Sequence, residues 1–554
     1  MVVDSEPSKH TWRQFLRLIP SRSYAALVVA VLWTVGCAPG GVPEPPRGEA
    51  EWRAPDGTPV VLISVDTLRS DRLPAYGYDG VETPAIDSLR RDGVLFERAY
   101  THVPLTLPAH TSLLTGVLPP IHGVRDNLGY TVDPSRAPPL QQTLKEAGYA
   151  TGAGVSAFVL RRETGIDAGF DFYEDRIDVG SMPGQTGVQS IQRRGRETVN
   201  AIVPWLRTAA DEAFFLFVHI FEPHTPYEPP PEFAARFPSL YDGEVAAADE
   251  AVGVLLDELR SLGVYGKALI VFLSDHGEGL GDHGEDEHGL FLYRSTLQVP
   301  LIIKLPESER AGEAVSEPVQ LIDVYPTLVT ALGLPPGQDL QGVSLLHRSR
   351  PDVGAYPIYS ETVFPRLHFG WSDLAAVIVG RHHFIEAPQP ELYDLLEDPD
   401  EAHNLVDSEP SLQNELRATL SAFDRDMESP AVTDEETRQR LAALGYVGGA
   451  AVTDEDVLAD PKEKVETLTH IQDAYRLYAE GNFEAAVVAY QKIVEENPKI
   501  EDAWDYLALS QLGLDRPEAA ATTYQAALEQ RIAGSSLRDK ADIEVVVDMD
   551  KSYR

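Results

Sequence analysis

The sequence predicts an α/β chain in which a mostly parallel, doubly wound sheet is followed by a smaller C-terminal sheet and then by an all-helical module. Three observations carry this. Residues 60–66 (VVLISVD), 213–220 (AFFLFVHI) and 269–273 (LIVFL) are nearly unbroken apolar runs rich in β-branched and aromatic residues, as strands buried on both faces are. Helix-like stretches at 83–92, 140–147 and 245–262 separate them, and such alternation places helices on both faces of a sheet. Near the end, the chain repeats itself with a period of 34 residues.

The N-terminal segment reads as an address. Lys9, Arg13, Arg17 and Arg22 precede an apolar run over 24–36, and Cys37, the only cysteine, follows at once. A basic region and about 13 apolar residues form a secretory signal, too short to span a bilayer comfortably. Cys37 after Val35-Gly36 resembles a bacterial lipobox, with Thr34 where leucine is usual. The expectation is export to the bacterial cell envelope as a lipoprotein: signal over 1–37, lipidation at Cys37, membrane attachment through that lipid. Residues 38–58, rich in Pro, Gly and charge, read as a flexible linker. A single cysteine excludes an internal disulfide.

With 87 acidic and 46 basic residues the chain carries a formal charge of −41. That argues against a nucleic-acid partner and against docking of the globular part on anionic lipid. At 43% hydrophobic, 554 residues fill one large core and at least one smaller domain.

The catalytic domain is expected over 59–448. Its three strand-like runs end in Asp66, in Phe221-Glu222-Pro223-His224 and in Ser274-Asp275-His276-Gly277-Glu278. Ligands gather outside the C-terminal ends of strands in such sheets, so these endings converge on one place. Residues 103–116 (VPLTLPAHTSLLTG) read as a short helix with Thr106 at its start and Gly116 just past its end. A hydroxyl there faces backbone N–H groups and the positive end of the helix dipole, which favour an alkoxide or the anion it attacks. Asp66, Asp275 and His276, with the Thr106 oxygen, make a mixed oxygen and nitrogen set for a divalent cation. Residues 295–305 and 319–334 extend the domain, and strand-like pieces from Tyr359 to about Leu405 form the smaller sheet.

A composition shift over 449–463 marks a linker. Beyond it Ala474, Phe483-Glu484-Ala485-Ala486 and Tyr490 are matched 34 residues later by Ala508, Pro517-Glu518-Ala519-Ala520 and Tyr524. That period is the signature of tetratricopeptide (TPR) repeats, expected over 464–535 with a tail over 536–554. Tyr475, Tyr478, Phe483, Tyr490 and Tyr506 are expected to pack between paired helices. Two copies are few for a free-standing solenoid, so the module is expected to lean on the catalytic domain or to bind a partner protein.

These motifs together resemble the sulfatase branch of the alkaline phosphatase superfamily: VDTLRSD (65–71), TLPAHTSLLTG (106–116), FEPHTPY (221–227), SDHGEGLGDHG (274–284), VPLI (299–302) and ELYDLLEDPDEAHNL (391–405). The resemblance runs from about 59 to 407 and implies an alkaline-phosphatase-like sandwich. It implies Asp66, Asp275 and His276 as metal ligands, Thr106 as nucleophile, His224 and His288 as groups that contact the substrate or protonate its leaving group, and Asn127 as a contact to the transferred group. Two departures stand out. The formylglycine frame of cysteine or serine, x, Pro, x, Arg reads Thr106-Leu107-Pro108-Ala109-His110 here, so the hydroxyl itself is the nucleophile, and His110 stands where an arginine would contact the anion. Thr67 stands where many sulfatases carry another metal-binding aspartate, which suits a single cation among manganese, magnesium, calcium and zinc.

The expected function is metal-dependent hydrolysis of a sulfate or phosphate ester of a small molecule, glycan or lipid. A sulfated threonine resists direct hydrolysis, whereas a phosphorylated one is a known kind of intermediate, which tilts the reading towards phosphate. The alternatives are a transferase that moves a phosphoryl-containing group to an acceptor, and an inactive tethered binding protein that acts through its repeats. His283 and His288 share an acidic, glycine-rich loop that could hold a second metal together with His224. His122, His347, His382, His383 and His403 are given no role.

Overall fold

The structure is a computed structural model and describes residues 52–177, 192–335, 337, 339–346, 356–431 and 458–534. Cys37, the signal, residues 38–51 of the linker, His347 and the tail over 536–554 lie outside the described residues. No helix among the described residues is long and apolar enough to cross a membrane.

Among the described residues, thirteen strands build two sheets. The large sheet contains β1 (Val60–Val65), β2 (Val94–Tyr100), β3 (Ala150–Gly154), β4 (Phe172–Glu174), β5 (Phe214–Ile220), β6 (Leu269–Ser274), β7 (Gln298–Lys304), β8 (Ala314–Val315) and β9 (Val319–Gln320). Its order is β4-β3-β5-β1-β6-β7-β2-β8, with β9 also on β2. The five strands from β4 to β6 are mutually parallel, whereas β7 runs antiparallel to both β6 and β2. All three long apolar runs became the centre of this block, β5-β1-β6. Every residue of β1 is buried, which is why the run lacks polar alternation.

Register decides where the chemistry sits. Val60 lies opposite Phe215 and Leu269, and Val65 opposite Ile220 and Ser274. The strands therefore finish level, and Asp66, Phe221 and Asp275 emerge side by side at one end of the sheet. Alternate residues of β1 feed two layers. Val61, Ile63 and Val65 pack with helices Pro84–Asp92, Gly195–Ala209 and Leu240–Ser261. Val60 and Leu62 face the opposite layer, which holds helix Thr106–Thr115.

The second sheet is a four-stranded antiparallel meander of β10 (Ile358–Thr362), β11 (Leu374–Val379), β12 (His382–Glu386) and β13 (Glu391–Asp394). Leu416 and Leu420 of helix Pro410–Leu420 cover it, packing against its Tyr359, Val377 and Phe384.

Four helices follow: Val465–Ala479, Phe483–Glu496, Glu501–Gly513 and Pro517–Gly534. The tyrosines expected to pack do so. The Tyr506 ring lies 5.3 Å from Tyr475, 5.0 Å from Tyr478 and 5.7 Å from Tyr490. The array leans on the catalytic domain, because Ile471, Tyr490 and Leu507 belong to the same apolar cluster as the large sheet. Asp460 fixes its start by accepting from the Gln389 backbone N–H (2.9 Å) and the Lys462 N–H (3.0 Å).

Candidate active site: buried carboxylates and imidazoles around Thr106

Asp66, Asp275 and His276 are fully buried and stand together at the strand ends. His276 Nε2 lies 3.6 Å from Asp66 Oδ1, 3.5 Å from Asp275 Oδ2 and 3.4 Å from the Thr106 hydroxyl. His276 Nδ1 donates to the Gly277 carbonyl at 3.0 Å. The ring is thereby held with its Nε2 lone pair facing the cluster, as a metal-ligating histidine is oriented.

The electrostatics show a cluster short of positive charge. Neither Asp66 carboxylate oxygen has a hydrogen-bond partner, nor does Asp275 Oδ2. Burial pushes both acids up to about 7 and pushes His276 down to about 3. Buried ionisable oxygens are normally satisfied, so this orphaned set fits a divalent cation held by two carboxylates, one imidazole and a hydroxyl. The grouping of Asp66, Asp275 and His276 is compact enough for one ion.

Thr106 is the first residue of helix Thr106–Thr115, whose ten residues are all buried. Pro108 is tolerated at the third position because its missing N–H belongs to the unpaired first turn. Gly116 closes the helix in the left-handed region at φ 69°, with Tyr325 and Leu340 too close for a side chain there. Asn127 Oδ1 accepts from the Leu107 backbone N–H at 2.8 Å, so the helix start is capped from outside. Asn127 Nδ2 is buried and unpartnered, a donor available beside Thr106.

His224 and His288 border the same space. Their rings are 5.0 Å apart, and His288 lies 4.5 Å from His276. His224 stacks on Phe221 and donates from Nδ1 to the Thr225 carbonyl at 2.6 Å. Burial holds His224 well below the ordinary imidazole range and His288 at about 4. Sequence reasoning missed Glu278, whose Oε1 lies 2.8 Å from His288 Nδ1. A cleft of about 310 Å³ opens here, lined in part by His224, Arg194, Glu222 and Glu244.

His110 does not point outward as an arginine substitute. It is fully buried beneath Thr106, with Nδ1 2.8 Å from the Thr106 carbonyl and 3.5 Å from Asp275 Oδ2, and Nε2 2.9 Å from the Ser64 hydroxyl. Four residues from Thr106 on one helix, it occupies the same helix face. His219, also missed, lies on β5 opposite Ser64 of β1, and its ring is 5.1 Å from that of His110. The signal for it was a histidine inside FFLFVHI.

His283 does not join His224. Its ring stacks on Tyr293 at 3.6 Å, in a separate cleft with Arg69 and Asp282. Thr67 adopts φ 52°, rare for a β-branched residue, and its hydroxyl is buried without a partner. The other histidines have structural partners: His122 with Ser112, His383 with Glu401, and His382 and His403 near Asp394 and Asp398.

Comparison with known proteins places this geometry. The sulfatase family model matches residues 58–334, half of the chain, and a model described as N-sulphoglucosamine sulphohydrolase, C-terminal, matches residues 281–426. An arylsulfatase of Clostridium perfringens is 24% identical over 446 residues, covering 63% of this chain and 90% of that protein. An ulvan-active sulfatase of Formosa agariphila is 27% identical, covering 65% and 80%. Among solved structures, the phosphonate monoester hydrolase of Agrobacterium radiobacter superposes with a TM-score of 0.55 at 23% identity, over 66% of this chain and 95% of that one. A structure in complex with its substrate D-glucosamine-2-N,6-O-disulfate superposes with a TM-score of 0.56 at 18% identity, over 70% and 98%.

Proposed function

The chain belongs to the sulfatase family and is an enzyme of that family's sulfate-ester hydrolase class, and from this premise we propose that Thr106 is its nucleophile. The observation that carries the proposal is the Thr106 hydroxyl at the start of a buried helix, 3.4 Å from His276 within a cluster of unpartnered carboxylates. Asp66, Asp275, His276 and the Thr106 oxygen would hold a divalent cation, which would supply Lewis acidity that lowers the hydroxyl pKa and offsets the ester's charge.

The residues of the chain divide the remaining work. Thr106 Oγ1, its proton already lost to solvent, attacks the sulfur or phosphorus in line as the alkoxide; the bond to the ester oxygen breaks as the covalent adduct forms, and the alcohol leaves. Asn127 Nδ2, free to donate, binds an equatorial oxygen of the transferred group. His288 gives its Nε2 proton to the departing alkoxide as its Nδ1 takes the proton that burial keeps on Glu278, 2.8 Å away at Oε1. Water then attacks the adduct and gives one proton back to His288 Nε2, whose Nδ1 proton returns to Glu278; Thr106 departs as the alkoxide, and the other water proton leaves on the sulfate or phosphate. His224, at the open side, orients the ester.

A second reading concerns the ester itself. The threonine hydroxyl has no aldehyde hydrate through which a sulfated adduct could collapse, so release requires attack at sulfur. Phosphate mono- or diesters avoid that difficulty, and an acceptor alcohol in place of water makes the same adduct a transfer intermediate. The test uses the full chain loaded in turn with manganese, magnesium, calcium and zinc, on aryl sulfate, aryl phosphate and an aryl phosphodiester. Turnover of one class, abolished in Thr106→Ala, is the expected result. Full activity of Thr106→Ala would overturn the nucleophile, and a large gain with added alcohol would show transfer.

We read the helices of Val465–Gly534 as two tetratricopeptide hairpins that carry a protein-binding face, and Cys37 as a lipidated N-terminus after export. Their support is the 34-residue period and the basic, apolar and cysteine order of the first 37 residues. Mass spectrometry of the mature N-terminus is the test: a chain that still starts at Met1 rules out the anchor.

A further inference from the structure

The reading above uses one face of Asp275 and leaves its other neighbours without a task. His219 is fully buried, and neither of its ring nitrogens has a hydrogen-bond partner. A buried imidazole with both nitrogens idle is costly, because each polar atom forfeits its hydrogen bond to water. Its Nε2 lies 3.3 Å from Asp66 Oδ2, the oxygen turned away from His276. His110 stands on the other side, 3.5 Å from Asp275 Oδ2. Donor atoms of His110, His219 and Asp275 all lie within 4.8 Å of one another, as do those of Asp66, Asp275 and His276.

We propose that His110, His219 and Asp275 form a second cation position, sharing Asp275 with the first, so that the enzyme carries a two-cation centre beneath Thr106. This rests on the reading of Asp66, Asp275 and His276 as the first position. Two imidazoles against one carboxylate favour a borderline ion such as zinc over calcium, whose ligands are oxygens, and manganese serves as a paramagnetic probe of the same position. His219 offers an idle nitrogen. His110 must exchange its Nδ1 bond to the Thr106 carbonyl for the ion, which makes it the weaker ligand and links ion binding to the backbone of the nucleophile.

The experiment is an ion count on the full chain, stripped by chelation and reloaded with zinc or manganese. Elemental analysis should give two equivalents for the wild type and one for His219→Gln. Anomalous scattering from a crystal of the zinc form should put the second peak between His110, His219 and Asp275. Two manganese ions sharing a carboxylate should also give an exchange-coupled electron paramagnetic resonance spectrum, and His219→Gln the spectrum of an isolated ion. One equivalent in the wild type, two retained in His219→Gln, or a second peak between His224 and His288 would each overturn the proposal. The wild-type count decides even if the variant does not fold. If one ion binds and Thr106-dependent turnover persists, only the second position fails. If no ion binds, the first position fails as well.

Discussion

Two buried ionic clusters in this domain have opposite character. Around Glu361, every charge is answered: Arg125 Nη2 donates to Oε2 at 2.6 Å, Arg125 Nε and the Tyr359 hydroxyl donate to the same carboxylate, and Arg125 Nη1 reaches the Asp426 carbonyl at 3.1 Å. Around Asp66 and Asp275 the charges face one another, and three carboxylate oxygens have no donor. The first cluster is finished by the chain alone and ties β10 to the loop that carries Arg125 and Asn127. The second is completed by something the chain does not encode. Unsatisfied polarity, more than burial or acidity, separates chemistry from architecture here.

The contrast breaks most sharply at Thr106. Thr106→Ala should lower kcat by at least about a thousandfold while leaving thermal unfolding almost unchanged, measured by initial rates and calorimetry. Arg125→Ala should do the reverse. It strands the Glu361 carboxylate and should cost about 3–5 kcal/mol in denaturant unfolding with the site geometry intact. Asp66→Asn sharpens the comparison by its sign. In chelator at pH 8 the variant should be more stable than wild type by about 1–2 kcal/mol, because it removes a carboxylate whose buried pKa is about 7, whereas with saturating zinc or manganese it should be the less stable protein.

The smallest effect lies at the cleft. Burial and the nearby Glu222 push Glu244 up to about 8. An acid raised in the fold binds more protons folded than unfolded, so its contribution to stability falls as pH rises from about 4.5 towards 8. Glu244→Gln should flatten that fall and gain on the order of 1 kcal/mol at pH 8.5 but nothing at pH 4, read from paired urea titrations.

The strand ends were legible because buried parallel strands have a simple signature, an apolar run that stops at a polar residue. Asp66, Asp275 and His276 were found in that way, and Thr106 through the proline and glycine that bracket its helix. His219 was not, since a histidine in FFLFVHI reads as core until β-register puts it beside Ser64. Glu278 escaped for a related reason: its partner His288 lies ten residues on, across a loop whose path no local pattern specifies. His110 was found, but its direction was not, because the rotation of a wholly buried helix about its axis leaves little amphipathic trace. His283, sequence neighbour of the same loop, was drawn away by stacking on Tyr293.

β1 is the first strand of the domain in the chain and the middle strand in space, paired with segments that begin 154 and 209 residues later. During synthesis it must wait, unpaired and wholly apolar, until β5 and β6 have emerged, and closing such long loops is slow. Asp66, at its tip, meets Asp275 only at that moment. With a cation held there as proposed, ion capture would timestamp completion of the sheet, because a nascent or misregistered chain keeps Asp66 and Asp275 apart.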